Sequence, residues 1–263
     1  MNTARTLLLH ALRMLVHDVP TTFRTVLPAL VLILGSAILA QIAVPQMVTG
    51  ELLTPDAVET LAPETALITL GLLVAALLGY VLLAILWHRH VLLDDAVRDT
   101  ARHPGAGIVM GYIWKALGVA LVQMLIGIPL GLAVSTVANA LGGQGSAVAG
   151  PVLFSLLGIA FGVVLIWFAL RVSVVLPAAA LGHNLRIAES WASTAPLTRD
   201  LLGLAVMLAA LNAQLSIVAS ILAGAVPMFG LPIEAVSYVL ETLVIVSVLT
   251  TLYGHLVENR ALS

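Results

Sequence analysis

The stretch LIWFALRVSVVLPAAALGHNLRIAESWASTAPLTRD, residues 165–200, decides how the rest of the chain is interpreted. Its apolar beginning reaches Arg171 and is interrupted near Pro177. A short polar segment around Ser190 follows, and a new apolar run starts at Leu201. This pattern predicts a membrane helix leaving the bilayer, an interfacial helix lying on its surface, and a further helix going back in.

Composition places the whole chain outside the class of soluble domains. Of its 263 residues, 61% are hydrophobic and 9% are charged, whereas soluble domains are about one quarter charged. Apolar stretches of 18 or more residues predict spanning helices. Six such runs lie at about 23–44, 66–87, 114–137, 151–170, 201–223 and 233–253. Because they are apolar on all sides rather than alternating, they predict an all-α polytopic membrane protein and not a β-barrel.

The basic residues predict the orientation of these spans. With the N-terminus in the cytoplasm, every lysine and arginine falls inside or at the inner interface, and the outer connections hold none. The residues are Arg5, Arg13, Arg24, Arg89, Arg98, Arg102, Lys115, Arg171, Arg186, Arg199 and Arg260. An odd number of spans would scatter them over both sides, so we expect six spans with both termini cytoplasmic. Abundant Ala, Leu, Gly and Val suggest a bacterial source, and hence the bacterial inner membrane.

Three polar, amphipathic segments on the inner side precede three pairs of spans. They lie at about 3–20, 91–107 and 183–199. In the first, residues 3–18 carry polar side chains at spacings of three and four, which favours an interfacial helix over a disordered tail. We therefore expect a single integral membrane domain, residues 1–263, built of three helical hairpins, each preceded by a cytoplasmic-side amphipathic helix.

Short motifs in two places resemble a known family. The run Arg171–Val172–Ser173–Val174–Val175–Leu176–Pro177, followed by Glu189–Ser190–Trp191 and a fifth span, is similar to a broad bacterial family of uncharacterised integral membrane proteins. That family is related to the membrane domain of some glycerophosphodiester phosphodiesterases. The Trp87–His88–Arg89 and Val91–Leu92–Leu93 segment resembles a subset without established function. The resemblance implies a six-helix membrane bundle but no phosphodiesterase activity, since the soluble catalytic domain of the fused relatives is not expected here.

Sequence signatures of catalysis are missing. The chain holds no G-x-x-x-x-G-K-[ST] nucleotide loop, no H-E-x-x-H, no G-x-S-x-G and no S-x-x-K. It has no cysteine, which excludes disulfides and thiolate metal sites. Its net charge of -2 gives no general attraction to nucleic acid. We therefore expect no enzyme, no cofactor and no nucleic-acid partner.

A group of histidines and aspartates after the second span raises the question of a metal ion. Its members are His88, His90, Asp94, Asp95, Asp99 and His103. Imidazole and carboxylate suit a divalent ion. However, the pairs His90–Asp94 and Asp94–Arg98 stand at helical spacing, as on a surface helix rich in ion pairs. We favour the surface helix and expect no metal site.

Polar residues inside the spans form the first candidate site. Glu241 lies seven residues after Glu234 on the same helical face, roughly 10 Å below the outer boundary. Gln214 lies at a similar depth in the fifth span. A short turn joins the two spans, so we expect Gln214 or Asn212 to face Glu241. The group is either a polar clip between helices or a site that handles protons or substrate.

Arginines at the inner surface form the second candidate site. Arg171 follows about 20 apolar residues, so its side chain is expected to reach the inner headgroups. It is either a simple anchor or, together with Arg186 and Arg199, a contact for lipid phosphate, which arginine binds through two parallel hydrogen bonds.

These features predict a non-enzymatic structural or accessory protein. Its apolar flank and basic inner face would bind membrane lipids, a partner in a membrane complex or a second copy of the chain. The glycine pairs Gly127–Gly131 and Gly158–Gly162 have the G-x-x-x-G spacing that allows close helix approach. The alternative is a small transporter or channel that uses Glu241, Gln214 and Asn212.

Overall fold

A computed structural model describes residues 2–44, 62–94, 104–142 and 149–261. These residues form helices joined by turns and contain no β-strand, which confirms the all-α class. The helices are α1 (Asn2–His17), α2 (Val19–Ala43), α3 (Pro63–Leu92), α4 (Ala106–Gly142), α5 (Ala149–Val172), α6 (Val175–Ala180), α7 (Ile187–Ser193), α8 (Thr198–Ala225) and α9 (Gly230–Leu256). Short 3₁₀ turns occupy Ala195–Leu197 and Pro227–Phe229.

Six of these helices are long and apolar enough to cross a bilayer, namely α2, α3, α4, α5, α8 and α9. The chain is therefore a multi-pass membrane protein, as predicted. The helices extend beyond the apolar runs, most of all in α4, which has 37 residues and a length of about 55 Å. This length exceeds the ~30 Å thickness of the hydrocarbon layer. The arrangement in three hairpins stays a prediction.

The chain divides into two compact units. The first unit comprises Met1–Ala11, Ala106–Leu211 and Val248–Ser263, and the second comprises Leu12–Gly105 and Asn212–Ser247. Helices α1, α8 and α9 contribute residues to both.

In the second unit, α2 packs closely against α3. Helix α2 begins after Asp18, whose carboxylate accepts the backbone N–H of Thr21 at 3.1 Å. The contact with α3 depends on Gly79, because a Cβ there would lie 2.6 Å from Cγ1 of Ile33 and 3.2 Å from its backbone nitrogen. The absence of a side chain at residue 79 thus sets how near the two helices come.

The end of α3 is buried protein core. Trp87 is 1% exposed and His88 is 0% exposed. Burial of an aromatic ring of this size is a large apolar contribution to stability.

In the first unit, α4 and α5 form a close helix pair. A Cβ built at Gly127 or Gly131 would lie 3.5 Å from the side chains of Leu165 and Phe161, respectively. The first glycine pair therefore lies in a helix contact, as its spacing predicts. Gly158 and Gly162 on α5 have nothing within 4 Å of the corresponding positions, so this second pair faces open space.

The chain reverses sharply after α6. Gly182 has a φ of +81°, a conformation that glycine adopts without steric cost. The N–H of Gly182 donates to the carbonyl of Ala179, and that of His183 donates to the carbonyl of Ala178. This pair of bonds is a Schellman motif, which ends the helix and satisfies its last carbonyls.

Helix α1 forms as expected, and its residues up to Ala11 belong to the first unit. Ala4, Leu7 and Ala11 are buried, and they lie at the spacing of one helical face. A Cβ built at Gly203 on α8 would lie 3.6 Å from Cβ of Ala4. Part of the apolar stripe that was expected to rest on the membrane thus contacts protein.

Candidate functional site

The end of α5 places a buried cation in the first unit. Arg171 is 6% exposed. Its Nε donates to Oγ1 of Thr194 at 3.3 Å, and its Nη2 donates to the carbonyl of Trp191 at 2.9 Å. A guanidinium has five N–H groups, and these two bonds are to neutral acceptors. Among the described residues, Arg171 forms no ion pair.

Aromatic rings surround this guanidinium. Its carbon lies 3.6 Å from the centre of the Trp191 ring and 5.5 Å from that of Trp167. The Trp191 ring contacts Phe168 and Trp167, with centres 5.3 Å and 6.0 Å apart. Trp167 Nε1 in turn donates to the carbonyl of Thr198 at 3.1 Å. The negative faces of the rings stabilise the positive charge where a carboxylate would otherwise be needed.

The neighbouring Ser190 closes the end of α5. Its hydroxyl is fully buried and donates to the carbonyl of Arg171 at 2.7 Å. That carbonyl belongs to the last turn of α5, where backbone acceptors have no partner inside the helix. Ser190 therefore ties α7 to α5, and the Glu189–Ser190–Trp191 motif has a structural explanation.

Glu189 and Arg186 form the start of α7. The Glu189 carboxylate accepts the backbone N–H of Arg186 at 2.8 Å, which is one half of a capping box, and also accepts the Nε of Arg186 at 2.8 Å. The backbone bond and then the side-chain bond lower the pKa of Glu189 below its usual value. The same carboxylate raises the pKa of the Arg186 guanidinium.

Lys115 of α4 holds the loop between α6 and α7. Its Nζ donates to Oδ1 of Asn184 and to the carbonyl of Leu185, both at 2.9 Å. Near the same loop, Nδ1 of His183 lies 3.0 Å from the hydroxyl of Tyr253 on α9. The polar segment 183–199, predicted as one interfacial helix, is thus a loop, the short helix α7 and a 3₁₀ turn. Hydrogen bonds from Lys115 and the contact with Tyr253 hold its loop to α4 and α9.

The three arginines of the proposed phosphate site make different contacts. Arg171 is enclosed by the rings of Trp167 and Trp191, whereas Arg186 is engaged with Glu189 at 2.7 Å. Arg199 is exposed. The lipid-phosphate contact stays a prediction, and of these three arginines only Arg199 is exposed without an ion pair in the described part of the chain.

The predicted histidine and aspartate group is only partly within the described residues. Asp95, Asp99 and His103 lie outside them. His88 lies buried in α3, and the ring of His90 is 5.9 Å from that of Trp87. In the ranges that the structure describes, no group of three or more histidine, cysteine or acidic side chains is placed to hold a metal ion.

A polar cleft lies between α8 and α9 in the second unit, with a volume of about 90 Å³. Its polar lining consists of Ser216, Ser220, Glu234, Ser237, Tyr238 and Glu241. The residues of α9 recur at spacings of three and four, so they share one helical face. This volume exceeds the ~30 Å³ that one liquid water occupies, and polar walls favour water within it.

The structure places Glu241 in this cleft, but neither Gln214 nor Asn212 lines it. The opposing α8 side chains are instead Ser216 and Ser220. Asn212 stands four residues before Ser216, and its buried Oδ1 has no hydrogen-bond partner within the described ranges. The serines were missed because small hydroxyl residues are common in spanning helices, although their i, i+4 spacing was readable from the sequence.

An apolar groove adjoins the cleft in the same unit. It has a volume of about 240 Å³ and lies between α2, α3 and α9. Ile33, Leu72, Ala76 and Leu231 contribute to its walls. Glu234 and Tyr238 line both the groove and the cleft, so the two cavities meet at these side chains.

No family model, curated protein or solved structure matches the chain. The resemblance carried by the Arg171–Pro177 run and Glu189–Ser190–Trp191 therefore stays a prediction.

Proposed function

We propose that the chain is a non-enzymatic membrane protein that acts as a structural or accessory component. In this proposal α5 binds a helix of another membrane protein or of a second copy. The observation that carries it is the exposure of α5. No residue of the most apolar 18-residue stretch of α5 is buried, whereas 67% of the residues in the corresponding stretch of α9 are buried. Gly158 and Gly162 on α5 face open space, and small residues allow a second helix to approach closely.

The contacts of the sequence motifs support a structural role. Ser190 and Trp191 both bind Arg171, and Glu189 engages the start of α7. These side chains are used in holding α7 and the adjoining loop to α5, so their presence is explained without a substrate.

The proposal includes a location and an orientation. The protein would lie in the bacterial inner membrane with both termini in the cytoplasm, because that orientation places every lysine and arginine at one surface. Membrane lipids would then contact the basic surface, including the exposed Arg199.

Crosslinking in cells tests the association through α5. A photoreactive amino acid at Ile159 on α5 is compared with the same residue at Val31 on α2, since the two native side chains are 63% and 64% exposed. We expect a discrete protein adduct from residue 159 and none from residue 31. Equal adducts at both positions, or lipid adducts alone, would contradict the proposal. Affinity capture of the adduct identifies the partner.

A small transporter is the second candidate, favoured by the polar cleft that reaches Glu241. Ionisable groups at membrane depth are costly and commonly belong to ion pathways. Vesicles containing the protein and the pH dye pyranine test this under an imposed potential. Transport predicts proton uptake that Glu241→Gln abolishes and Glu64→Gln leaves intact. Proton uptake no faster than in protein-free vesicles would exclude a proton pathway through this protein.

A further inference from the structure

Charge in the polar cleft favours a cation. Glu234 and Glu241 line it, and among the described residues no lysine, arginine or histidine lines either the cleft or the adjoining groove. Two carboxylates without a basic neighbour create a negative potential, which strengthens where the surroundings exclude water. An anion such as a lipid phosphate would be repelled there.

Ser237 gives a second, independent indication of a ligand. The residue is only 9% exposed, it lines the cleft, and its buried Oγ has no hydrogen-bond partner in the described part of the chain. A buried hydroxyl without a partner is costly. A ligand with N–H donors would satisfy it together with the nearby carboxylates.

The groove next to the cleft has the opposite chemistry. Its walls are mainly aliphatic, and two of its lining residues, Glu234 and Tyr238, also line the polar cleft. With about 240 Å³ in the groove and about 90 Å³ in the cleft, the space reaches the lower end of the ~300–1,000 Å³ of ligand sites. A ligand that fills both parts must be polar and cationic at one end and apolar at the other.

We propose that these two cavities form one binding site for a long-chain primary amine. Its ammonium group occupies the polar cleft, where three N–H donors can reach the carboxylates of Glu234 and Glu241 and the hydroxyl of Ser237. Its hydrocarbon chain lies in the groove beside Ile33, Ala76 and Leu231. This site goes beyond the accessory role proposed above and does not depend on it.

Equilibrium binding of radiolabelled dodecylamine to the full chain in phosphatidylcholine nanodiscs tests the charge requirement. We expect saturable binding that unlabelled dodecylamine displaces and dodecanol does not. Glu241→Gln and Glu234→Gln should each weaken it at least about tenfold, because each removes a charged acceptor. Glu64→Gln is the matched control, since Glu64 is exposed in the first turn of α3 and lines neither cavity.

A second pair of variants tests the apolar groove. Ala76→Leu adds volume inside the groove and should also weaken dodecylamine binding at least about tenfold. Ala75→Leu adds the same volume on the same helix at a residue that does not line the groove and should leave the affinity unchanged. Variants are compared only when they elute from size-exclusion chromatography as the wild type does. If Glu241→Gln misfolds, Glu234→Gln still tests the charge requirement, because Glu234 is exposed.

Several outcomes would overturn the proposal. They are the absence of a saturable component, equal competition by dodecanol, or equal losses in Glu64→Gln and Glu241→Gln. Displacement by sodium chloride but not by choline chloride would make the cleft an inorganic cation site. Loss of binding when phosphatidylethanolamine is added to the nanodiscs would assign the cleft to a lipid headgroup instead of a free amine.

Discussion

The guanidinium carbon of Arg171 lies 3.6 Å from the centre of the Trp191 ring, and the carbonyl of Trp191 accepts a hydrogen bond from the same guanidinium at 2.9 Å. One arginine thus contacts both the side chain and the backbone of one tryptophan. The two residues are 20 positions apart, on α5 and α7. Their contact fixes the short helix α7 against the end of a spanning helix.

We expect measurable energetic coupling between Arg171 and Trp191. A double-mutant cycle with Arg171→Lys and Trp191→Leu should give a coupling of about 1–2 kcal/mol, because lysine cannot reproduce the planar stack or the fork of donors. Reversible unfolding in mixed micelles measures it. Arg199→Lys is the control and should change stability by no more than about 0.5 kcal/mol. Coupling near zero would mean that the stacked pair contributes no stability.

Gly79→Ala should destabilise the second unit. The added methyl group would meet Ile33 at 2.6 Å, and crowding of this kind in a packed contact costs about 1–3 kcal/mol. Gly71→Ala on the same helix has open space and should be neutral or slightly stabilising, since alanine favours helix. Unfolding of the two variants in parallel checks this. Equal stability of both would show that α2 and α3 do not approach at Gly79.

The stabilising effect of Glu189 should be lost in acid. Its carboxyl has a lowered pKa in the folded chain, so its contribution is present above the unfolded-state pKa of about 4.3 and disappears as the pH falls through the folded value. The melting temperature of the wild type should therefore exceed that of Glu189→Gln at pH 7, and the difference should shrink and then vanish as the pH falls below the lowered pKa of Glu189. A difference that is independent of pH would argue against an ionised Glu189 at this position.

Cysteine labelling should locate residues 58 and 145 outside the cell. The chain has no cysteine, so Val58→Cys and Gly145→Cys each introduce a single reactive thiol. We expect a membrane-impermeant maleimide to label both in intact spheroplasts, and to label Gly105→Cys only after lysis. Labelling of Gly105→Cys before lysis would overturn the positive-inside assignment.

Length and apolarity were enough to predict the spanning helices, because a helix that crosses hydrocarbon must satisfy its own backbone and carry an apolar surface. Their ends were predicted less well. The apolar run of α4 ends near Val137, but its hydrogen bonding continues to Gly142. Helix ends depend on local backbone partners more than on hydropathy.

The contacts of the candidate sites were largely beyond prediction. The interaction of Arg171 with Trp191 joins residues far apart in sequence, and hydropathy contains no term for a cation above an aromatic ring. The burial of Trp87 was likewise not predictable, because tryptophan is common both in protein cores and at lipid headgroups. The depth of Glu241 was readable from helical rise, but its neighbours depended on the rotation of α8, which placed Ser216 and Ser220 in the cleft.

Lys115 is the sole lysine of the chain, and its ammonium group binds Asn184 and the carbonyl of Leu185. Reagents that acylate lysine amines would remove its positive charge and two of its donors. Surface immobilisation or dye attachment through lysine would therefore remove one of the contacts that hold the segment between α6 and α7. Attachment through an introduced cysteine leaves the hydrogen bonds of Lys115 intact and is therefore the better chemistry for biophysical work on this protein.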